Sequence, residues 1–513
     1  MNRDEMVGRI EVTSRADIVI IGGGATGLGC AIDAATRGYE TVLLEGGDFA
    51  QGTSSRSTKL IHGGIRYLRQ GNFALVLEAL KERGLLRRNA PHLVHNRPFV
   101  VPNYDWRGAP FYGFGLKLYD VMAGQMGFGK SQLLSRDQTI ARIPTIEPEG
   151  LRGGAIYHDG QFDDARLAIG LARTAADQGA AVVNYMPVVD LMKDQDVVVG
   201  VVARDLETQR EYQVKAKVVI NATGAFSDAV RRLDEPNAVP MICPSQGSHL
   251  VLDQTFLPGN SAIMIPRTSD GRVVFMIPWH ARVLVGTTDT PVERVVENPK
   301  PRSEEVEYLL SHAAQYLTKD PAPSDVLSAF AGIRPLVAPG NGQSTASISR
   351  EHTIYISHSG LLSIAGGKWT TYRKMAEDAV DQAAELAGLQ MVVCSTHALA
   401  IHGHDPNADA SHALAGYGTD AILVSALGRS QRLHDALDAT ESQVLWAVRH
   451  EMARTIEDVL ARRTRCLLLN ARASIAAAPR AAELVAAELG RDERWQDQQV
   501  AAYTKIAQDH VWD

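Results

Sequence analysis

From Thr53 to Asn72 the chain carries no acid, yet it holds Arg56, Lys59, His62, Arg66 and Arg69. The 513-residue chain as a whole has 52 Lys+Arg against 59 Asp+Glu, a formal net charge of −7, so this cationic stretch departs from its surroundings. Hydroxyls at Thr53, Ser54 and Ser55 beside cations suit a phosphate or another anionic group, because ionised donors make short, strong hydrogen bonds to its oxygens. Leu60, Ile61 and Ile65 interleave with the charges, which implies burial rather than a solvated basic face. Gly63 and Gly64 let the backbone approach a flat ring.

A second constellation lies upstream, where Asp17 to Gly29 read DIVIIGGGATGLG. The run Ile18–Ile21 reads as a buried strand, and Gly22, Gly24 and Gly27 follow as G-x-G-x-x-G at the start of a helix. The first glycine permits a tight turn, the second lets backbone reach a pyrophosphate, and the third lets helix and strand pack closely. The helix N-terminus, with Ala25 and Thr26 in its first turn, offers N–H groups and a positive dipole end to phosphates. Thr41–Leu44 reads as a second strand ending in Glu45, 18 residues past Gly27. An acid there accepts hydrogen bonds from a ribose 2′-OH.

The elements that must hold these groups follow from pattern. Helices are expected over Ala74–Arg88, Asp164–Gly179 and from Lys368 through Leu386, and helical spacing runs from Gln443 to Arg465. Strands are expected at Ala180–Asn184, Val197–Ala203, Tyr212–Val214, from Lys217 to Thr223-Gly224, at Val273–Ile277 and Val283–Val285, and at Leu361–Ala365. Strands that end in glycine early and late in the chain imply an α/β fold. Its discontinuous Rossmann-like cofactor domain has segments 14–90, 150–235 and 345–390. A mixed β-sheet substrate domain (91–149 and 236–344) is inserted, so that 1–390 form one unit and 391–513 a C-terminal helical domain. The negative net charge argues against nucleic acid as the main partner. Cys30, Cys243, Cys394 and Cys466 are too scattered for a disulfide framework or a zinc site, and no metal is expected. The first residues lack the apolar segment of a signal peptide, and no run approaches a membrane-spanning length.

The motifs GGGATGLG, TSSRSTKLIHGGIRYL, NATGAFSD, QGSHLVL, GTTDT, GIRPL and GGKWTTYRKMAEDA occur in this order. Together they resemble the FAD-dependent, quinone-linked glycerol-3-phosphate dehydrogenases, within the D-amino-acid-oxidase-like flavoproteins. VRHEMARTIEDVLARRTR (Val448 to Arg465) resembles that family's helical C-terminal domain. The resemblance implies FAD held by Gly22, Gly24, Ala25, Thr26, Gly27 and Glu45, and by Thr53, Ser54, Ser55, Lys59, Leu60, Ile61 and His62. It also implies Val188 on the adenine side, Thr223 and Gly224 closing over the dinucleotide, and Gly366, Gly367, Lys368 and Thr370 beneath the isoalloxazine. A helix starting near Lys368 aims N–H groups and a cation where negative charge accumulates on flavin reduction.

By the same resemblance Arg66, Tyr67, Arg350 and Thr371 bind glycerol 3-phosphate, and His249, Arg334 and Lys368 are catalytic. His249 takes the C2 hydroxyl proton while Arg334 stabilises the developing alkoxide, as a hydride passes to flavin N5 to give dihydroxyacetone phosphate. Arg350 also fits a surface salt bridge, and a lone histidine placed like His249 is ordinarily a core residue. Pro110–Gly124, aromatic and apolar with Lys117, suits a helix lying in a membrane interface near quinone; core packing is the other reading. The partners implied are glycerol 3-phosphate, a membrane quinone and the inner face of the cell membrane, with a homodimer an open possibility. A soluble oxidase passing electrons to O2, and a non-catalytic flavin-binding redox sensor, are the alternatives.

Overall fold

The computed structural model describes residues 1–13, 15–64, 72–105, 108–266, 268–269, 271–337, 351–409 and 412–512, without the side chains of 108–114 and 125. Arg66, Tyr67 and Arg350 lie outside the described residues.

One sheet is built around the glycine fingerprint. Ala16–Ile21 runs parallel to Thr41–Leu44 on one side and to Glu211–Asn221 on the other. Ala181–Val183 and Leu362–Gly366 extend the parallel array outward, and His352–Ile356 closes one edge antiparallel. Ile18, Val19 and Ile20 are fully buried. A parallel strand covered by helices on both faces needs such an unbroken apolar run, which is why it reads as continuous rather than alternating. Cys30, on the helix Ala25–Thr36, is a buried packing residue. The expected hairpin forms as Val197–Arg204 against Glu211–Asn221, with Val188–Asp194 added beyond it.

The second sheet is mostly antiparallel and ten-stranded among the described residues. Its long central strand, Ile242–Asp253, pairs along its length with Val326–Val337 and, at its far end, with Arg282–Gly286. Gly153–Phe162 and Leu60–Ile61 pair with each other and belong to this second sheet, so the expected cofactor-domain segments 14–90 and 150–235 each lend a strand to it. Gly153–Phe162 also lies antiparallel to Val94–Asn103, and this long ladder outweighs sequence proximity to the helix Asp164–Asp177 that follows.

Beyond residue 390 the regular structure described is helical apart from one isolated bridge, and up to Thr440 the chain is mostly turns and irregular segments. Val459, Leu460, Cys466, Ala477 and Tyr503 share one core with Phe99, Trp279 and Phe330 of the second sheet. The pattern from Gln443 to Arg465 is not one helix. Glu441–His450 ends where buried Glu451 turns inward to Arg166 (2.8 Å), Met452 adopts φ +55, and Asp458 accepts hydrogen bonds from the N–H groups of Arg454 (2.7 Å) and Thr455 (3.0 Å).

Candidate active site

The cofactor end is made of backbone. Gly22 has φ +109, a conformation that favours glycine, and a Cβ on Gly27 would lie 1.9 Å from the Gly22 carbonyl oxygen. No side chain caps the helix Ala25–Thr36 at Gly24, although the Ala25 N–H reaches Ser54 Oγ (2.9 Å). Thr26 follows in the same turn. Glu45 ends its strand as expected, and its carboxylate accepts from the N–H groups of Gly23 (2.5 Å) and Gly47 (2.8 Å). Burial pushes the Glu45 carboxyl up from the usual range, while those two N–H groups favour the anion. Thr223 Oγ1 donates to Asn221 Oδ1 (2.7 Å), and Gly224 has φ +58. Val188 begins a strand packed against this core.

Gly366 and Gly367 have φ +80 and +70 ahead of the short helical turn Trp369–Thr371 and the helix Tyr372–Leu386, and the Gly367 N–H donates to the Glu351 carbonyl (3.3 Å). A Cβ at Gly367 would meet the flexible end of Met375 (Sδ at 2.3 Å), and its φ of +70 disfavours any side chain there. Trp369 Nε1 donates to the Ser54 carbonyl (3.1 Å), and Thr370 Oγ1 accepts from the His62 N–H (3.3 Å). These two contacts tie the two expected flavin-binding loops together. An uncapped helix start, a close-approach glycine turn and an acid at the second strand end are what a dinucleotide needs, and the residues present fit one.

A cleft of about 310 Å³ opens between these loops and the second sheet. Thr53, Arg56, Thr58, Leu60, His62, His249, Arg334, Gly367, Lys368 and Thr370 all line it. Ser245, Gly247 and His249 alternate on one face of their strand, opposite Arg334, Gly332 and Phe330. The missing side chain of Gly247 makes room for Arg334, whose Nη2 would lie 2.3 Å from a Cβ there. Arg334 Nη2 donates to Thr287 Oγ1 (3.1 Å) and the Thr288 carbonyl (2.9 Å), and Nη1 reaches Asp289 Oδ1 (3.3 Å). The guanidinium is thereby aimed, and its pairing with Asp289 leaves it a fixed cation at the cleft wall.

His249 stacks on Phe330 (4.9 Å between ring centres) and pairs Nε2 with Thr58 Oγ1 at 2.9 Å. Burial, together with the nearby Lys59 and Arg334 cations, pushes its imidazole well below 6.5, so it is neutral at physiological pH. A neutral imidazole can accept a proton.

Not every expected residue reaches the cleft. Lys59 is fully buried and donates to Asp164 Oδ1 (2.9 Å), Asp164 Oδ2 (2.7 Å) and the Ser55 carbonyl (2.8 Å). Burial and neighbouring Arg465 press its ammonium down to about 7, while Asp164 opposes that. Its ammonium is spent on this cluster, and the structure gives it a part in holding the loop. Ser55 is buried with it, and Ile61 is fully buried in the second sheet. Thr371 is buried and its hydroxyl donates to the Lys368 carbonyl (3.3 Å), so it does not line the cleft.

Several cleft residues escaped the sequence reading: Thr58 and Asp289 line the cleft, and Gly247 and Gly286 make room for Arg334 and His249, while Arg56, one of the cations read in its stretch, lines it too. The signals were present, since QGSH and GTTDT contain three of these residues, but only strand pairing shows that they meet. Arg462 and Arg463 likewise run from the C-terminal region to buried Asp48, and Arg465 to Asp164 (2.9 Å).

This arrangement, a dinucleotide cradle opening onto a cleft with a neutral base and fixed cations, defines an oxidoreductase of the dinucleotide-binding class. Residues 17–373 match the FAD dependent oxidoreductase family, and residues 360–498 match the C-terminal domain of alpha-glycerophosphate oxidase. The chain is 40% identical to mitochondrial glycerol-3-phosphate dehydrogenase of Mus musculus, over 98% of this chain and 75% of that one. Its identity to the mitochondrial glycerol-3-phosphate dehydrogenase of Arabidopsis thaliana is also 40%, over 94% of this chain and 84% of that one. The solved glycerol-3-phosphate dehydrogenase from Bacillus halodurans, complexed with FAD, superposes with a TM-score of 0.79 at 30% identity, covering 99% of this chain and 97% of that one. L-alpha-glycerophosphate oxidase from Mycoplasma pneumoniae shares the fold (TM-score 0.57, 18% identity). The chain belongs to the FAD-dependent glycerol-3-phosphate dehydrogenase family, is an enzyme, and uses FAD.

Proposed function

We propose that this enzyme oxidises sn-glycerol 3-phosphate to dihydroxyacetone phosphate and delivers the electrons to a membrane quinone. The observation that carries the reading is the cleft itself, where neutral His249 and fixed Arg334 share one sheet face and Gly367 and Lys368 line the same cleft. FAD, when bound, supplies the hydride acceptor. The chain's own residues do the rest. Glu45 holds the ribose, the N-terminus of the helix Ala25–Thr36 meets the pyrophosphate, and Lys368 with the N–H groups of its loop favours negative charge on the ring. Arg334 steadies charge building on the C2 oxygen, and His249 receives the proton. Arg56, lining the same cleft, joins Arg66 and Arg350 as a cation for the phosphate.

For quinone access the proposal points to the helix Gly108–Ala123. Leu116 and Tyr119 turn into the core, whereas Val121 is 77% exposed and Lys117 is also exposed. One face is therefore anchored and another is open to a membrane surface. No helix among the described residues is long and apolar enough to cross a membrane, which is consistent with attachment at the inner face of the cell membrane. A homodimer belongs to the same proposal.

The test is anaerobic addition of glycerol 3-phosphate to the purified, FAD-loaded protein, followed by a quinone analogue or by O2. The expected result is bleaching of the flavin, formation of dihydroxyacetone phosphate, and reoxidation by quinone without stoichiometric peroxide. Peroxide equal to product would move the assignment to an oxidase. Arg334→Ala should keep FAD yet lose about 100-fold or more in flavin reduction; loss of FAD instead would make Arg334 a cofactor-binding residue.

A further inference from the structure

His249 lines the cleft but is almost wholly covered by protein. The residue is 2% exposed, and its Nδ1 is buried without a hydrogen-bond partner. Phe330 covers one face of the ring at an interplanar angle of 14°. Gly286 lies against the Cδ2 edge so closely that a Cβ there would come within 2.2 Å. Of the two ring nitrogens only Nε2 has a partner among the described residues, and Thr58 Oγ1 is that partner at 2.9 Å. Thr58 is only half-buried and lines the cleft.

We propose that Thr58 is a catalytic residue whose hydroxyl relays the proton of the substrate's secondary alcohol to His249. The inference rests on the proposed function. As the substrate O–H bond breaks, its proton joins Thr58 Oγ, and Thr58 passes its own hydroxyl proton to Nε2 of the neutral imidazole. The carbon bearing that oxygen gives up its C–H electron pair as a hydride to bound FAD and becomes a carbonyl carbon. One hydroxyl proton and one hydride leave, and no other reactant is needed.

The loop is built to hold Thr58 still. Ser57 donates to Asp164 Oδ2 from both its N–H (3.0 Å) and its Oγ (2.7 Å). Lys59 grips the same carboxylate from the other side of Thr58, at 2.7 Å, and Arg465 fixes it at 2.9 Å. Thr58 is thus suspended between two residues pinned to one buried anion, which fixes its hydroxyl on the imidazole. Lys59 adopts φ +61, and this left-handed turn is part of the same arrangement.

The experiment compares wild type, Thr58→Val, Thr58→Ser, His249→Ala and the Thr58→Val/His249→Ala double variant, all loaded with FAD. Flavin reduction by glycerol 3-phosphate is followed anaerobically in H2O and D2O, with FAD content and dihydroxyacetone phosphate binding measured alongside. Thr58→Val should retain FAD and product binding but reduce its flavin about 100-fold more slowly, within the range that general acid–base groups supply. Thr58→Ser should stay close to wild type. The double variant should be no slower than the slower single variant, because both residues serve one proton route. Nitrogen NMR of His249 should show an unprotonated, hydrogen-bonded Nε2 in wild type that shifts in Thr58→Val. Thr58→Val at the wild-type rate, additive losses in the double variant, or a protonated Nε2 would each overturn the relay alone. A wild-type flavin that glycerol 3-phosphate does not bleach overturns the substrate reading and the relay together.

Discussion

The two ends of this active site are built on different principles. The dinucleotide end works through backbone: Gly22, Gly24, Gly27, Gly366 and Gly367 shape it by having no side chain. The cleft end works through side chains drawn from two strands and two loops, namely His249 and Arg334, and Asp289 and Thr58. In the first, function is lost by adding an atom. In the second it is also lost by moving one. Glycines serve both ends, but at Gly247 and Gly286 they make room for Arg334 and His249 rather than for a ligand.

Four variants or conditions sharpen that contrast, beginning with the largest effect. Gly27→Val places carbon where the Gly22 carbonyl oxygen already lies, 1.9 Å from the ideal Cβ. The protein should be isolated without yellow colour, as measured by flavin absorbance per chain; full FAD occupancy would break the claim that the cradle is a backbone site. Second, Asp164→Ala leaves Lys59 and Arg465 buried without their shared carboxylate. It should cost about 3–5 kcal/mol of stability in chemical denaturation, because uncompensated buried charge is expensive. A loss under about 1 kcal/mol, the size typical of exposed pairs, would show that the cluster is solvated.

Third, Gly286→Ala brings a methyl group against the His249 ring, 2.2 Å from Cδ2 before any relaxation. Substrate turnover should fall about 10-fold or more while FAD content stays at the wild-type level, since a small displacement of a catalytic group costs heavily in rate. Equal loss of FAD and activity would erase the distinction between the two ends. The smallest effect concerns pH. Burial and the Lys59 and Arg334 cations lower the His249 pKa, and a base is competent above its pKa. Flavin reduction at saturating substrate should therefore stay level as pH falls from 8 through about 6.5, the ordinary histidine value, and decline only in more acidic solution. A half-maximal rate at that ordinary value would show an imidazole open to water.

The same contrast explains what could be read from sequence. The dinucleotide end was legible because its determinants are local: a turn glycine, a helix start and a strand end lie within one βαβ unit, and Glu45 falls where the spacing put it. Gly366, Gly367 and the helix after Lys368 were legible for the same reason. The cleft end was legible only in part. His249 and Arg334 were found through motif resemblance, but the Thr58 partner lies 191 residues from His249, and only folding brings the two together. Lys59 read as a cofactor ligand because a cation among hydroxyls suggests an anion, and the anion it meets is Asp164. The sheet that Gly153–Phe162 joins was not legible, because strand pairing, not chain proximity, decides it. From the C-terminal region Arg462 and Arg463 anchor Asp48, and Arg465 anchors Asp164 beneath the Ser57–Lys59 loop, contacts that no local pattern announces.

The central claim is that the carbon alcohol of glycerol 3-phosphate is oxidised in the cleft beside His249 and Arg334. Single-turnover reduction of the bound flavin with glycerol 3-phosphate deuterated at C2 tests it most directly. The account predicts bleaching that is clearly slower with the deuterated substrate than with the ordinary one. Bleaching at the same rate with both, under conditions where chemistry limits, or no bleaching with either, would contradict it.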